Sequence, residues 1–228
     1  MPLLGQGFLI MWHDISAEAE QEYHLWHTRQ HMPERLSIPG FLRGRRGVNG
    51  SREFQRILTI YEGAALQVFR GPEYLRRLNN PTPWTARLAP SFRNFLRVAC
   101  ETVASEGVGV GGAIGTWRAR FGPRTGEAEL VRAASTLCGQ MMAMPDVSAV
   151  HVAVVRPEVA AIRTAEAALR AAPAADCFDT VVLVEGLGLR ELDGLSGGIE
   201  QVLGGGLLID LVPQTYEMAF MLDSPLRL

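Results

Sequence analysis

The sequence predicts an α+β fold made of two tandem copies of one β-α-β-β-α-β unit, residues 1–106 and 107–228. Two observations support this prediction: strand-like and helix-like segments follow each other in the same order twice, and a glycine-rich stretch at 106–112 separates the two series. The chain has 228 residues, of which 47% are hydrophobic and 20% charged, so it can bury one large core or two small ones.

The first copy opens with alternating apolar residues at 8–13, the pattern of a strand covered on two faces. From Ser16, a plausible N-cap, the period becomes helical, and the predicted helix runs over 16–37 with a break near Pro33. Asn49-Gly50 is a hairpin dipeptide and predicts a turn between the next two strands. The remaining elements are predicted as strands at 41–48 and 54–61, a helix at 64–78, an irregular proline-containing segment, and a strand at 92–103.

The second copy is predicted from the same patterns after the glycine-rich stretch. Its elements are a strand at 114–121, a helix at 126–144, strands at 149–156 and 180–185, a weaker helix at 189–203, and a last strand at 216–221. This order is the split β-α-β, or ferredoxin-like, plan, whose sheet carries helices on one face only. Two such sheets can bury their bare faces against each other, which predicts a barrel-like body within one chain.

Composition excludes several classes of function. The chain contains 22 basic residues, all of them arginine, so lysine Schiff-base chemistry, lysine-anchored pyridoxal phosphate and the P-loop lysine are absent. A net charge of -2 argues against nucleic acid as a partner, and no apolar stretch predicts a membrane span. Three widely spaced cysteines predict reduced core thiols, and together with the missing signal peptide they predict a cytoplasmic protein.

Chemistry is predicted near the N-terminus, because four of the five histidines lie between Trp12 and His31. His24, His27 and His31 are spaced i, i+3 and i+7 and share one helix stripe with Glu20. The HExxH spacing is missing, so we predict no metal site. The alternative is that His24 and His27 are partly exposed and that His31 bonds carbonyls at the helix end. Haem ligation by one of the three is a further alternative.

Other candidates flank this stripe. Trp12 and Trp26 could form an aromatic wall for a flat apolar ligand or could belong to the core. Arg45 could meet an anion or reach solvent, and Tyr61 could donate to a substrate oxygen or cap a sheet.

One stretch of the first copy resembles a known family. The residues that carry the resemblance are Asp14, Glu22, Trp26, His31, Pro33, Glu34, Arg35, Pro39, Gly40, Phe41 and Arg46. They resemble the EthD-like branch of the dimeric α+β-barrel superfamily, in which a helix with a Trp and a His-x-Pro leads into a Pro-Gly-Phe turn. The match spans about 35 residues, and the second half resembles the family only in topology.

The resemblance implies a ferredoxin-like unit that pairs into a barrel, with a small-molecule pocket between sheet and helices. The superfamily includes polyketide cyclases, lactone isomerases, cofactor-free monooxygenases, haem-degrading enzymes and dye-decolorising peroxidases. Trp26, His31 and the Pro39-Gly40-Phe41 turn carry over. In the second copy Asp146 replaces the turn glycine and the histidine is missing, so one working pocket per chain is expected.

These observations lead to two main hypotheses. The first is a cofactor-free enzyme, such as a cyclase, an isomerase or a monooxygenase, acting on an apolar aromatic or polyketide-like compound. His31 would be its acid or base, tuned by Asp14 or Glu22, and Trp12, Trp26, His27, Arg45 and Tyr61 would bind substrate. The second is a ligand-binding or structural protein without turnover, in which Trp26 and His31 are packed shut. A homodimer is compatible with either hypothesis.

Overall fold

The structure is a computed structural model that describes residues 3–170 and 177–226. The described residues form two compact units. The first unit contains residues 4–99, 156–170 and 219–226, and the second contains Leu3, Cys100–Val155 and 177–218. Each unit combines helices with antiparallel strands, which confirms a mixed α and β fold. The tandem repeat with its division at residue 106, and the closure into a barrel, stay predictions.

The first unit is built on three complete strands. They are β1 (Gly7–Ile15), β2 (Phe41–Val48) and β3 (Ile57–Gly63), and β3 pairs antiparallel with each of the other two. Residues 92–99 of strand β4 (Phe92–Gly107) and 219–223 of strand β8 (Leu208–Asp223) also belong to this unit.

A long helical segment follows β1, as the sequence predicts. It consists of a 3-10 turn (Ala17–Ala19), helix α1 (Glu20–Trp26), a π-helical turn (His27–His31) and helix α2 (Met32–Leu36). The chain stays helical through Pro33, but the α-helical winding is interrupted just before it by the π-helical turn, so the irregularity predicted near Pro33 is a change of winding and no gap in the helix. The Ser16 side chain makes no capping hydrogen bond.

The hairpin between β2 and β3 differs from the predicted tight turn. The strand expected at 54–61 starts only at Ile57, and residues 49–56 form a longer loop. Asp14 fixes this loop, because its carboxylate accepts hydrogen bonds from the backbone N–H groups of Gln55 (2.7 Å) and Arg56 (2.9 Å). The side chain of Asp14 therefore replaces the ladder bonds that a two-residue hairpin would have made.

The remaining helices of the first unit are short. The helix predicted over 64–78 is divided before Pro72 into a 3-10 helix (Leu66–Arg70) and helix α3 (Pro72–Asn79). The segment predicted as irregular contains helix α4 (Pro83–Leu88), whose N-terminus is capped by Thr82, and a 3-10 turn (Ala89–Ser91). Two further helices, α6 (Pro157–Ala160) and α7 (Ala165–Ala168), were not predicted.

The second unit follows the predicted order closely. Its strands are β5 (Ala113–Phe121), β6 (Val147–Val155) and β7 (Thr180–Gly186), with the rest of β4 and β8, in the order β8-β5-β7-β6-β4. Helices α5 (Glu127–Met142) and α8 (Leu189–Leu203) pack on its core through buried residues such as Leu137 and Ile199. Residues 106–107, predicted as linker, end strand β4.

The side chains of Cys100 and Cys138 are buried, as expected, whereas that of Cys177 is exposed. No helix within the described parts of the chain is long and apolar enough to span a membrane.

Candidate functional site

A small recess of about 20 Å³ lies inside the first unit, beside the π-helical turn. It is lined by aromatic and histidine side chains together with a few polar ones. The lining residues are Met11, His13, Tyr23, Trp26, His27, His31, Thr59, Tyr61, Phe92, Phe95 and Arg170. A volume of this size accommodates about one water molecule, so a larger ligand would need the recess to widen.

The π-helical turn places two imidazoles in this recess. His27 and His31 are its first and last residues, both side chains are buried, and their ring centres lie 5.7 Å apart. A π-helical turn is rare in proteins and is frequently found at functional sites. The wider winding therefore marks the segment that carries both histidines.

Arg46 fixes the tautomer of His27. The Nη1 atom of Arg46 lies 3.2 Å from Nδ1 of His27, and a guanidinium can only donate. Nδ1 must then be the acceptor, which leaves the proton of a neutral His27 on Nε2. The hydroxyl of Tyr61 lies 3.5 Å from this Nε2, so the Nε2–H group points at the phenolic oxygen. The hydroxyl hydrogen of Tyr61 remains able to point into the recess.

His31 stacks on Trp26 and keeps one nitrogen without a partner. The two ring centres are 4.2 Å apart, and the indole N–H of Trp26 donates to Oγ1 of Thr85 at 3.2 Å, which holds the indole in place. Nδ1 of His31 is buried and has no hydrogen-bond partner among the described residues. A buried polar atom without a partner is costly, so this nitrogen is a candidate contact for a bound molecule.

Burial keeps the imidazoles of the recess neutral. Desolvation lowers the pKa of His13 to about 3 and lowers the pKa values of His27 and His31 well below the ordinary value. The guanidinium of Arg35 lowers the pKa of His31 further. Burial also raises the pKa of Tyr61 well above its usual range, so its phenol stays protonated.

A network of two arginines and one glutamate lies against the recess. Glu166 of α7 is buried and binds both Arg35 and Arg170. The guanidinium of Arg170 lies over Phe95, 4.6 Å from the ring centre, and over Phe92 at 5.0 Å. Arg35 also lies 3.5 Å from the carboxylate of Glu34, so the positive charge that lines the recess is that of Arg170, which favours a negative charge on anything that binds there.

Four of the eight predicted site residues meet at the recess, namely Trp26, His27, His31 and Tyr61. Trp12 does not, because the recess is lined by Met11 and His13, and successive residues of a strand face opposite sides of a sheet. Arg45 is also directed elsewhere: it is fully buried and pairs with Glu62, its Nε lying 2.9 Å from Oε1. The anion predicted for Arg45 is thus a carboxylate of the chain itself.

The two predicted tuning carboxylates have other partners. Asp14 holds the loop before β3, and it also accepts a hydrogen bond from Asn94 at 2.8 Å. Glu22 lies on the outer side of α1 and accepts hydrogen bonds from Trp84 (2.9 Å) and Arg87 (2.6 Å). It borders an open surface groove of about 590 Å³, together with Gln21, His24, Leu25, Thr28, Arg29 and Arg46.

Sequence reasoning missed part of the recess. The position of His13 was predictable, because it follows Trp12 in a strand and neighbouring strand residues point to opposite faces of the sheet. Tyr23 lies 3.2 Å from Nε2 of His13, and its position four residues before His27 on the predicted helix could have placed it on the same side. Nothing in the sequence connects Arg170 to a site about 140 residues earlier.

The described residues contain no group of three or more histidine, cysteine or acidic side chains arranged to hold a metal ion. The recess around His31 measures about 20 Å³ and is walled by Trp26, Tyr61 and Phe92, so a haem would need it to widen, as would any other ligand larger than a water molecule.

Comparison with solved structures shows the fold. An anthrone oxidase-like protein matches with a TM-score of 0.61 and 7% identity over 97% of this chain and 94% of its own. A candidate monooxygenase from Fusobacterium nucleatum matches with a TM-score of 0.56 and 9% identity, over 97% and 98%. A heme-binding protein from Thermus thermophilus matches with a TM-score of 0.51 and 11% identity, over 95% and 92%.

The solved neighbours are ferredoxin-like α+β proteins, and at such low identities the likeness concerns the fold alone. No known family model matches the sequence, and no curated protein matches it. The EthD-like assignment therefore stays a resemblance.

Proposed function

We propose that the chain is a small-molecule enzyme that performs cofactor-free acid–base chemistry in the recess beside His31. The observation that carries the proposal is the buried Nδ1 of His31, which has no partner among the described residues and lies in a ring stacked on Trp26. A neutral imidazole with an unoccupied nitrogen can accept a proton, and the indole face suits a flat aromatic compound. The substrate class is an apolar aromatic or polyketide-like molecule with an acidic C–H or O–H group.

The reaction proposed is removal of that proton to give an enolate or phenolate. His31 accepts the proton at Nδ1, and the hydroxyl of Tyr61 donates a hydrogen bond to the oxygen on which negative charge develops. Arg46 acts through His27, whose Nε2–H orients the phenol of Tyr61. Asp14 and Glu22 have no part in this mechanism, because their carboxylates are engaged in other contacts.

The low basicity of His31 is offset by the charges of the reaction itself. Protonation of His31 and formation of the substrate anion create opposite charges side by side in a desolvated site, where they attract strongly. Arg170 stabilises the anion, since it adds positive charge at the edge of the recess. The attraction between the two new charges and the positive charge of Arg170 both stabilise the state after proton transfer. They therefore lower the free energy of the reacting state relative to the resting state.

Substrate entry requires the recess to widen. Most of its lining residues are buried. Met11 is partly exposed, and so are Phe95 and Arg170, which contact each other. We expect a substrate to enter between these two side chains.

Anthrone is a suitable test compound, because it is flat, aromatic and carries an acidic methylene beside a carbonyl, and because one structural neighbour is described as anthrone oxidase-like. Its methylene exchange with deuterium in D2O, measured by NMR without oxygen, reports proton removal directly. We expect the protein to accelerate exchange and H31Q to lower the acceleration about 10² to 10⁴-fold. The control is H24Q, since His24 lies outside the recess on the same helical segment.

Equal acceleration by wild type and H31Q would contradict the proposal. A specific observation, the small volume of the recess, favours a second candidate, a structural or ligand-binding protein without turnover. That candidate predicts no acceleration of exchange by the folded wild-type protein. The haem alternative is tested separately, by the presence or absence of a Soret band in the purified protein.

A further inference from the structure

A second cluster of reactive side chains lies in the second unit and consists of Ser105, His151 and Glu185. The hydroxyl oxygen of Ser105 lies 2.8 Å from Nδ1 of His151. Nε2 of the same imidazole lies 3.9 Å from Oε1 of Glu185. A hydroxyl beside an imidazole that is oriented by a carboxylate is the arrangement that activates a serine nucleophile.

The sheet itself brings the three side chains together. Ser105 on β4 is directly opposite His151 on β6, so their side chains point to the same face. On the next strand, β7, Glu185 is opposite Ala149, which lies two residues from His151 and therefore on that same face. The antiparallel register thus aligns one residue from each of three adjacent strands.

The glycine-rich stretch that follows Ser105 holds the carboxylate in place. The backbone N–H of Gly111 donates to Oε2 of Glu185 at 3.1 Å. A Cβ atom at position 111 would lie 2.2 Å from the carbonyl oxygen of Gly186, so only glycine allows this close approach. The stretch has a structural role at this cluster, beyond the linker role that its composition predicts.

Burial differs along the cluster in a way that suits a nucleophile. The side chains of His151 and Glu185 are fully buried, whereas Ser105 is exposed. The Glu185 carboxylate lies 3.9 Å from Nε2 of His151, beyond hydrogen-bond distance, but its charge favours the proton on that nitrogen. In this tautomer Nδ1 accepts the hydrogen bond and the hydroxyl of Ser105 donates it. A reagent in solution can therefore reach the oxygen, while the base behind it is shielded from water.

We propose that Ser105 is a nucleophile that takes an acyl or phosphonyl group from a small activated ester. The Oγ atom of Ser105 bonds to the electrophilic carbon or phosphorus, the bond to the leaving group breaks, and the serine proton moves to Nδ1 of His151. The proton then passes to the departing group or to water. No oxidant, reductant or cofactor takes part in this step.

The test uses a fluorophosphonate ester on the full-length protein, with adducts measured by intact mass and located by peptide mapping. In the reaction the phosphorus–fluorine bond is replaced by a bond to Oγ, and hydrogen fluoride is released. We expect a single adduct on Ser105 of the folded protein and none in S105A or in urea-unfolded wild type. The labelling rate of E185Q should be about one tenth of the wild-type rate or lower, because an amide does not fix the imidazole tautomer.

The matched control is S196A, because Ser196 is a serine of the same unit whose hydroxyl donates to Glu200 at 2.8 Å. It should label like wild type. Melting curves verify that S105A and E185Q are folded. The proposal would be overturned if folded wild-type protein failed to label, if the adduct formed on another residue, or if S105A labelled at the wild-type rate. If E185Q labelled at the wild-type rate, the role of the carboxylate would be overturned. Anthrone exchange at the first-unit recess should be unchanged in S105A.

Discussion

The tautomer of His27 depends on Arg46, a buried arginine beside the recess. The guanidinium of Arg46 borders the groove outside α1 and also donates towards Nδ1 of His27. Because the guanidinium remains protonated, it dictates which nitrogen of His27 carries hydrogen, and so which way the hydrogen bond to Tyr61 runs. A single interaction at 3.2 Å therefore determines which atoms of His27 and Tyr61 donate and which accept hydrogen bonds inside the recess.

We expect 15N NMR of histidine-labelled protein to show His27 in the Nε2–H form. R46Q should abolish this preference, because a glutamine amide can also accept and no longer fixes Nδ1 as the acceptor. The control is R29Q, since Arg29 lies in the same π-helical turn but its side chain is exposed. A wild-type spectrum with the proton of His27 on Nδ1 would contradict the assignment.

The site residues whose proximity could be predicted are those that lie at helical spacing on one short segment. Trp26, His27 and His31 lie on one helical segment, so their spacing alone places them together. Asp14 was given a tuning role because it is near in sequence, but its carboxylate is taken by backbone N–H groups of a loop about 40 residues later. Partners so distant in the chain leave no local pattern.

The π-helical turn is the element on which the recess depends most directly. A π-helical turn differs from an α-helix by one additional residue, and here it brings both the first and the last histidine of the turn to the same recess. Sequence patterns predicted a helix in this place but not its winding. Pro33, which has no backbone N–H to donate, lies two residues after the turn, but a proline alone does not say which winding precedes it.

Removal of one residue from this turn should therefore disrupt the site. We expect deletion of Arg29 to restore α-helical winding, turn His31 relative to His27, and remove the protein's acceleration of anthrone exchange. Helix content by circular dichroism should remain close to wild type. The substitution R29A keeps the length of the turn and should behave like wild type, because this side chain is exposed. Full activity in the deletion variant would show that the winding is irrelevant.

Stability of the whole chain should depend on the neutral histidines. Desolvation lowers the pKa values of His13, His27 and His31, so below about pH 6.5 the unfolded chain binds more protons than the folded one. The free energy of unfolding should then fall as the pH falls, by about 1.4 kcal/mol per pH unit for each such histidine. For His13 this continues down to about pH 3.

Urea unfolding between pH 7.5 and 5 measures this effect. The carboxylates of Asp14 and Glu166 have lowered pKa values, so their contribution to stability is lost only at lower pH. In H31Q the free energy of unfolding should depend less steeply on pH than in wild type, because one histidine that contributes about 1.4 kcal/mol per pH unit is removed. A free energy of unfolding that is constant from pH 7.5 to 5 would contradict the burial of neutral imidazoles.

The element order of the molecule was largely predictable, whereas its ends and insertions were not. Helix α8 was predicted with its observed bounds, although its sequence pattern was the weaker of the two helices in the second copy. Strands β4 and β8 are longer than predicted, since they continue through glycine and polar residues that sheet pairing tolerates. Helices α6 and α7 escaped prediction, because four residues are too few to show a period.

The most direct test of the central claim is whether an aromatic compound with an acidic C–H group binds beside His31. Protein labelled with 15N at histidine can be titrated with anthrone under nitrogen, and the imidazole signals of His31 and His24 followed together. We expect a saturable shift of the His31 signal with little change at His24, which lies on the outer groove. An unchanged His31 signal at saturating anthrone, or a shift confined to His24, would contradict it.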